Sequence, residues 1–451
     1  MNLGGLTAAF GCYALGPRAS RRVGLWIACA ISVIAISIQI GPTTDGALYA
    51  GRFLLGISNG FFLTFSVTYM SEIAPAHLRG SVVGLVTFHT TFGALIGILI
   101  ENYTSLYIER KSYQIPLGVM YIIPVFLSLY LLILPDTPRY YISRGQRDAA
   151  ISSIQKTRGI TDMDRILAEI ADIQNAWDTE VELHQQARLM DMFRGPDLRR
   201  TLISIGCSIG QTATGILFLA GYSVYFYVQA KIGQPFVWVM VGLAIALTGN
   251  LGAFPAMRYF GRRPLLLVCS VVSALTMFGM GIAHDKGTEF APNTGKALVA
   301  LSIIFTCVYG FGQGPVLWAI TSEIPSQRLR SQTVGIANGL NFVFGWLCAF
   351  CSPYFLNPTA LNWGAKYGYI WGGSNLLLAL WVFFFVPETK GRSLEQLDEL
   401  FGKRVPTWRF SSYVTEHHIV DADKVFEGET AAEPAYHENE KCTTASHSEH
   451  V

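Results

Sequence analysis

The sequence predicts an all-α multi-pass membrane protein built from two homologous helix bundles. Hydrophobic residues make up 51% of the chain and charged residues only 14%, whereas about a quarter of the residues of an average soluble domain are charged. Most apolar residues fall in runs long enough to cross about 30 Å of hydrocarbon. One segment of the first half also returns in the second half, which indicates an internal duplication.

The duplicated segment reads SEIAPAHLRGSVVG from Ser71 and SEIPSQRLRSQTVG from Ser322. A second echo follows at nearly the same offset, where Pro135-Asp136-Thr137 ends one apolar run and Pro387-Glu388-Thr389 ends another. Related halves in an apolar chain are typical of carriers whose substrate site lies between two bundles, near the middle of the bilayer.

The N-terminal bundle covers residues 1–134 and begins with a short, Gly-rich apolar run from Met1 to Gly16. Four further spans of membrane-crossing length follow, at about 23–40, 47–70, 81–101 and 115–134. Residues 135–200 form a polar linker, and its periodic segments, such as MDRILAEIADIQNAW, predict amphipathic helices on the cytoplasmic surface.

The C-terminal bundle covers residues 201–387 and contains six predicted spans. They lie at about 201–229, 235–257, 264–283, 297–321, 331–355 and 368–387. Residues 388–451 are predicted to form a cytoplasmic helix followed by a disordered polar tail. The arginine-rich short loops, the linker and the tail fall on one side of the membrane if sides alternate, and this side is cytoplasmic by the positive-inside rule.

Eleven spans are uneven for a duplicated chain, because five precede the linker and six follow it. The duplication predicts that a first helix belongs before Met1, so the chain has about 11 of 12 spans. We therefore expect the chain as written to transport poorly.

Composition and motifs argue against several other classes of protein. A net charge of +2 gives no basic face for nucleic acid. The eight cysteines are scattered, and Cys348 and Cys351, one turn apart, are better explained as small buried thiols than as metal ligands. No nucleophile or phosphate-binding motif stands out, so we expect neither an enzyme nor a bound cofactor or metal.

Seven short motifs occur in the order typical of one family. They are GRFLLGISNG at Gly51, the repeated SEI and LR elements, PDTPR at Pro135, Gln211 with Thr214-Gly215, GRRPLLL at Gly261, GPVLW at Gly314 and PETKGRSLEQL at Pro387. To about Phe401 the chain resembles the sugar porters of the major facilitator superfamily, close to the fungal sugar permeases. The resemblance implies a major facilitator fold of twelve helices, working as a monomer in the lipid bilayer by alternating access.

Each copy of the repeat places a glutamate at the cytoplasmic end of one span and an arginine at the next turn, and we predict that these pair through charge-assisted hydrogen bonds. The resemblance implies that such groups form a cytoplasmic gate, which closes the outward-open state and separates in the inward-open state. Its members would be Glu72, Arg79, Arg262, Arg263, Glu323, Arg330 and Glu388. The alternative is that these charges only anchor the helix ends.

A sugar site needs side chains that match hydroxyl groups, in a groove with aromatic walls. The resemblance implies that Gln211 hydrogen-bonds a hydroxyl, Trp318 stacks on the ring, and Asn341 adds a polar contact. Thr91, in the N-terminal bundle, stands where the family has a glutamine and is therefore a further candidate substrate contact. Packing remains an alternative role for Trp318, as does an interhelical hydrogen bond for Asn341.

Two departures from the family's pattern broaden the expected substrate. Thr212 replaces a second glutamine, and Leu217 replaces an asparagine. Because fewer hydroxyl-binding groups remain, the substrate could be a hexose, a disaccharide, a polyol or an acidic sugar-like compound.

Arg52 lies within a predicted span, where an unpaired cation costs at least about 2.5 kcal/mol. We find no acidic residue in the first five runs placed to meet it. The resemblance implies that an aspartate on the first helix faces this arginine and that protonation of this aspartate drives transport. Proton-coupled sugar symport at the plasma membrane is therefore expected for a form that has this helix. Two alternatives are a facilitator or exporter of another small polar compound, and a sugar sensor that does not transport.

Overall fold

The computed structural model describes residues 1–15, 19–41, 44–74, 79–107, 109–159, 162–185, 188–229, 232–286, 292–357, 359–392 and 394–413. Every regular element within these ranges is helical, which confirms the predicted all-α class. Residues 414–451, most of the predicted tail, lie outside the described residues.

The N-terminal bundle consists of six helices. They are α1 (Asn2–Leu15), α2 (Arg21–Ile40), α3 (Asp45–Ile73), α4 (Arg79–Thr104), α5 (Lys111–Val119) and α6 (Ile122–Ile133). Helices α5 and α6 together form one span, Lys111–Ile133. At 14 residues, α1 is about 21 Å long, which is shorter than the hydrocarbon core of a bilayer.

The segment between the bundles forms three helices, α7 (Pro138–Ser143), α8 (Arg147–Arg158) and α9 (Met163–Gln185). Their apolar faces close a small core that includes Ile142, Ile154 and Ile166. The Ser153 hydroxyl donates to the Asp136 carbonyl at 2.5 Å, so these helices are held against the end of the N-terminal bundle.

The C-terminal bundle starts at Gly195, earlier than predicted. Its helices are α10 (Gly195–Thr212), α11 (Ile216–Gln229), α12 (Pro235–Phe260), α13 (Arg262–Lys286), α14 (Pro292–Val308), α15 (Gly314–Glu323), α16 (Arg330–Leu356) and α17 (Gly368–Phe385). A π-helical turn, Tyr309–Gln313, joins α14 to α15. Helix α18 (Leu394–Gly402) follows α17.

Ten helical segments of the described chain are long and apolar enough to cross a membrane. They coincide with the ten full-length spans predicted from the sequence, and α1 takes the place of the short eleventh run. The chain is an integral multi-pass membrane protein.

The two bundles meet along two seams, α1 against α16 and α4 against α12. The duplication relates α4 to α16, because Arg79 and Arg330 open these helices at the repeat offset. The two seams are thus counterparts of each other. This arrangement leaves the space between the bundles as the natural place for a substrate site.

Candidate functional site

The first span of the C-terminal bundle is interrupted between α10 and α11. Gly215 has a φ of +90°, and a Cβ there would lie 2.7 Å from Cγ of Trp371. Only glycine tolerates both the backbone angle and the close indole ring. The break ends α10 immediately after Gln211 and Thr212, so these side chains sit at a helix end in the interior of the protein.

A buried network of amides fixes this break. The Asn375 side chain on α17 donates to the carbonyls of Thr214, at 2.8 Å, and Trp371, at 2.7 Å. Its Oδ1 accepts from Gln313 Nε2 at 2.8 Å, and Gln313 Oε1 accepts from the Ser273 hydroxyl at 2.9 Å. The network joins the break in the first span to the π-helical turn before α15. Sequence analysis missed it, although the break contains the quoted Thr214-Gly215 motif and the π-helical turn directly precedes GPVLW.

Gln211 offers an unused hydrogen-bond donor in this region. The residue is only 6% exposed, and its Nε2 has no protein partner among the described residues. A buried amide without a partner costs about 1–3 kcal/mol, so an incoming acceptor would offset this cost. Gln211 is therefore poised to bind a polar ligand.

Asn341 on α16 offers the complementary acceptor. The Ser208 hydroxyl donates to Asn338 Oδ1 at 3.3 Å and aligns α10 with α16. The two helices belong to the first and fifth spans of the C-terminal bundle and run in the same direction if spans alternate, so Gln211 and Asn341, each three residues further on, lie about one turn beyond this bond. Asn341 Oδ1 is buried and has no partner in the described part of the chain. A free donor and a free acceptor at one level match a hydroxyl group, which both accepts and donates.

The other two predicted substrate contacts differ in their surroundings. Trp318 on α15 is 37% exposed, so its indole is accessible rather than packed in a core. The Thr91 hydroxyl is already bonded within the protein: it accepts from Asn250 Nδ2 at 2.9 Å and donates to the Thr87 carbonyl at 3.1 Å. Thr91 therefore has a partner in the other bundle, which the sequence analysis did not foresee.

Leu217 lies at the seam between the bundles. Its Cδ1 would be 3.4 Å from a Cβ on Gly345, and the Asn2 side-chain amide would be 3.2 Å from the same point. An apolar side chain thus occupies the place where the family's pattern has an asparagine, beside the start of α1.

Arg52 on α3 is exposed and makes no ion pair within 4 Å among the described residues. The Glu101 carboxylate on α4 interacts electrostatically with Arg52 over a longer distance, so the expectation that no acidic residue in these runs is placed to meet Arg52 stays a prediction.

The cytoplasmic glutamates form two equivalent clusters, one in each bundle. Glu72 accepts from Arg21 at 2.8 Å and from the Thr137 hydroxyl at 2.5 Å. Glu323 accepts from Arg262 at 3.1 Å and from the Thr389 hydroxyl at 2.7 Å. The two threonines are the third residues of the PDT and PET motifs. The recurrence of PDT as PET along the sequence was the signal from which both clusters could have been predicted.

The second cluster corrects the predicted pairing of Glu323 with Arg330, seven residues later in the chain, whereas the pairing of Glu72 with Arg79 stays a prediction. Glu323 bonds Arg262, and Arg330 makes no ion pair within 4 Å in the described residues, although it feels the charge of Glu323. The side chain of Arg79 lies outside the described residues. Both described clusters are internal to one bundle, so they brace the bundles rather than bond one to the other.

The remaining predicted gate residues also lie within the C-terminal bundle. The Glu388 carboxylate accepts from the backbone N–H groups of Arg262, at 2.9 Å, and Arg263, at 3.0 Å. It caps the start of α13, where a negative charge is favoured by the helix dipole. Arg263 donates to the Phe383 carbonyl at 2.6 Å. These contacts fix the start of α13 to the end of α17.

Comparison with known proteins gives consistent results. The family model "Sugar (and other) transporter" matches residues 1–401. The major facilitator-type transporter ecdD of Aspergillus rugulosus is 29% identical over 419 residues, covering 89% of this chain and 76% of that protein. The high glucose sensor RGT2 of Saccharomyces cerevisiae is 27% identical over 381 residues, covering 82% of this chain and 49% of the sensor.

Among solved structures, the fold is similar to that of the major facilitator superfamily proton:xylose symporter XylE from E. coli, bound to 6-bromo-6-deoxy-D-glucose. The TM-score is 0.70 with 22% sequence identity, and the match covers 89% of this chain and 87% of that structure. The predicted major facilitator fold is thereby confirmed.

Proposed function

This chain belongs to the sugar (and other) transporter family, and from that premise we propose that it carries a sugar or related polyol across the plasma membrane by alternating access. The observation that supports this most directly is the pair of unpartnered amide atoms, Gln211 Nε2 and Asn341 Oδ1. They lie on adjacent helices at the helix break, and their donor and acceptor suit the hydroxyl groups of a sugar. The exposed Trp318 indole supplies an aromatic surface for the ring.

Transport is tested by uptake of labelled sugars and polyols into cells that lack their own sugar carriers. We expect saturable uptake of at least one hexose, disaccharide or polyol, with saturation rather than a high maximal rate as the criterion. Binding without uptake would instead support the second candidate, a sugar sensor, which the similarity to RGT2 favours. Sugar-dependent quenching of tryptophan fluorescence in the purified protein measures binding separately from flux.

Replacing Gln211 by leucine should raise the KM for the transported sugar about tenfold, because a hydrogen bond from a neutral donor to a hydroxyl contributes about 0.5–1.5 kcal/mol and the leucine also leaves the sugar hydroxyl unpaired. Uptake against substrate concentration measures this change. The matched control is Gln39→Leu, because Gln39 is also a buried glutamine with one unpartnered atom but lies on α2. Equal KM values for the two variants would remove Gln211 from the site.

The proposal also includes the coupling of sugar transport to protons. Its support is the proton symporter XylE among the structural neighbours and the presence of Arg52 near the titratable Glu101. A coupled carrier acidifies the cell interior as sugar enters, and its uptake falls when an uncoupler removes the proton gradient. Uptake that is insensitive to the uncoupler would indicate facilitated diffusion, the role that the loss of polar groups at Thr212 and Leu217 would suit.

A further inference from the structure

A side-chain hydrogen bond joins the two bundles inside the membrane. Asn250 on α12 donates through Nδ2 to the Thr91 hydroxyl on α4 at 2.9 Å. Asn250 is 3% exposed, so the bond is shielded from solvent. The Thr91 hydroxyl proton is used as well, in the bond to the Thr87 carbonyl of its own helix. The proton of this hydroxyl and one of its two acceptor positions are therefore used within the protein.

The counterpart seam shows that the fold does not need a polar bond here. The repeat offset relates Thr91 to Phe342 on α16, whose ring packs on Gly5 of α1, with a ring carbon 2.7 Å from where a Cβ on Gly5 would lie. Leu6 packs on Gly339 in the same seam. Apolar packing closes that contact. Burying the polar Asn250 amide in the other seam therefore adds a desolvation cost that the packing of the helices does not require.

Each partner is held firmly by its own bundle. A Cβ on Gly249 would lie 3.0 Å from the Cys307 carbonyl, and a Cβ on Gly310 would lie 3.1 Å from Asn250 Oδ1. Helices α12 and α14 are thus in close contact around Asn250, which leaves its amide little room to turn. Thr91 is tied to α4 by its intrahelical bond. If the bundles rock as rigid bodies, the bond between Asn250 and Thr91 is a contact that must change.

We propose that Thr91 and Asn250 form an interbundle latch, which stabilises the arrangement of bundles seen here and opens each time they rock. The inference rests on the alternating-access mechanism proposed above. It assigns Thr91 a positioning role in the conformational equilibrium, in place of the substrate contact predicted from the sequence. Phe342 and Gly5 at the counterpart seam would let that seam slide without breaking a hydrogen bond.

The latch is tested by measuring the distance between spin labels at Ser152 on α8 and Gly402 on α18, which are both exposed. Helix α8 belongs to the segment held against the N-terminal bundle, and α18 contacts α10 of the C-terminal bundle. Genetically encoded labels spare the eight native cysteines. Without substrate, Thr91→Val and Asn250→Leu should each change the ratio of the two distance populations about threefold, the effect of a typical hydrogen bond between membrane helices. Thr91→Ser, which keeps the hydroxyl, should match the unmodified protein.

Thr90→Val is the matched control, because the Thr90 hydroxyl makes the same kind of intrahelical bond, to the Val86 carbonyl at 2.8 Å, but is exposed. It should leave the populations unchanged. The double variant Thr91→Val/Asn250→Leu should shift them no more than either single variant, since both remove one bond. Additive shifts, or no shift in either single variant, would overturn the latch.

Failure of the latch and failure of the proposed function give different results. The distance measurement needs no substrate, so a chain that takes up no sugar can still show the shift. A Thr91→Val variant that raises the KM without altering the distances would return Thr91 to the substrate site and reject the latch while leaving transport intact.

Discussion

Replacing Glu72 by alanine is expected to lower the free energy of unfolding by about 3 kcal/mol, because it leaves the Arg21 guanidinium without its carboxylate. The exposed fractions of the two side chains are 18% for Arg21 and 7% for Glu72, so water can replace little of the lost interaction. The centre of the Tyr140 ring lies 5.9 Å from the guanidinium carbon and remains a partial partner for Arg21. The expected loss of stability is therefore at the low end of the range for broken buried ion pairs. Thermal unfolding of the purified protein measures the loss.

The equivalent cluster supplies an internal comparison. In the pair of Arg262 and Glu323 the side chains are 24% and 26% exposed, so Glu323→Ala should cost less than Glu72→Ala. Glu72→Gln is the matched control, since it keeps an acceptor for Thr137 but removes the charge, and it should fall between the parent protein and Glu72→Ala. An equal loss of stability for both alanine variants would show that burial does not set the strength of these clusters.

Replacing Asn375 by leucine is expected to lower the free energy of unfolding by about 2–4 kcal/mol. The leucine removes the side-chain donor to the Thr214 carbonyl at the helix break and the acceptor at 2.8 Å for Gln313 Nε2, which keeps only its longer bond to the Ser270 hydroxyl at 3.3 Å. Each buried group that loses its partner carries a cost of about 1–3 kcal/mol. Because the network holds the break next to Gln211, the KM for sugar should rise as well.

A double substitution separates the network from simple packing. With Gln313→Leu added to Asn375→Leu, both partners of the central bond become apolar, so the combined loss of stability should be smaller than the sum of the two single losses. Thermal unfolding of all three variants gives the coupling energy. Strictly additive losses would mean that Gln313 and Asn375 contribute independently.

The positions of the spans could be predicted because they depend on single segments. A run of apolar residues must be helical in lipid, where its backbone groups have no water to bond, and its length fixes whether it can cross. The repeat was equally accessible, because SEI at Ser71 and Ser322 needs no knowledge of contacts. The structure interrupts the first span of the C-terminal bundle at Gly215, within the Thr214-Gly215 motif.

Hydrogen-bond partners could not be predicted in the same way. Glu323 was assigned to Arg330, seven residues later, yet it bonds Arg262 at the start of α13, since a short helix connection does not determine where a carboxylate points. Thr91 was assigned to substrate because of the family's pattern, but its geometry relative to α12 gives its hydroxyl to Asn250. The longer-range interaction of Glu101 with Arg52 likewise depends on how α3 and α4 pack.

By itself, the sequence determined that this protein crosses the membrane many times, that its halves are related, and which family it resembles. These properties follow from the hydrophobic length of each segment and from residues that recur along the chain. Only the tertiary structure decided which polar groups are bonded and which are not, including Gln211 Nε2 and Asn341 Oδ1, which have no partner among the described residues. The reason is that a hydrogen bond forms over about 3 Å, a distance set by the packing of helices far apart in sequence.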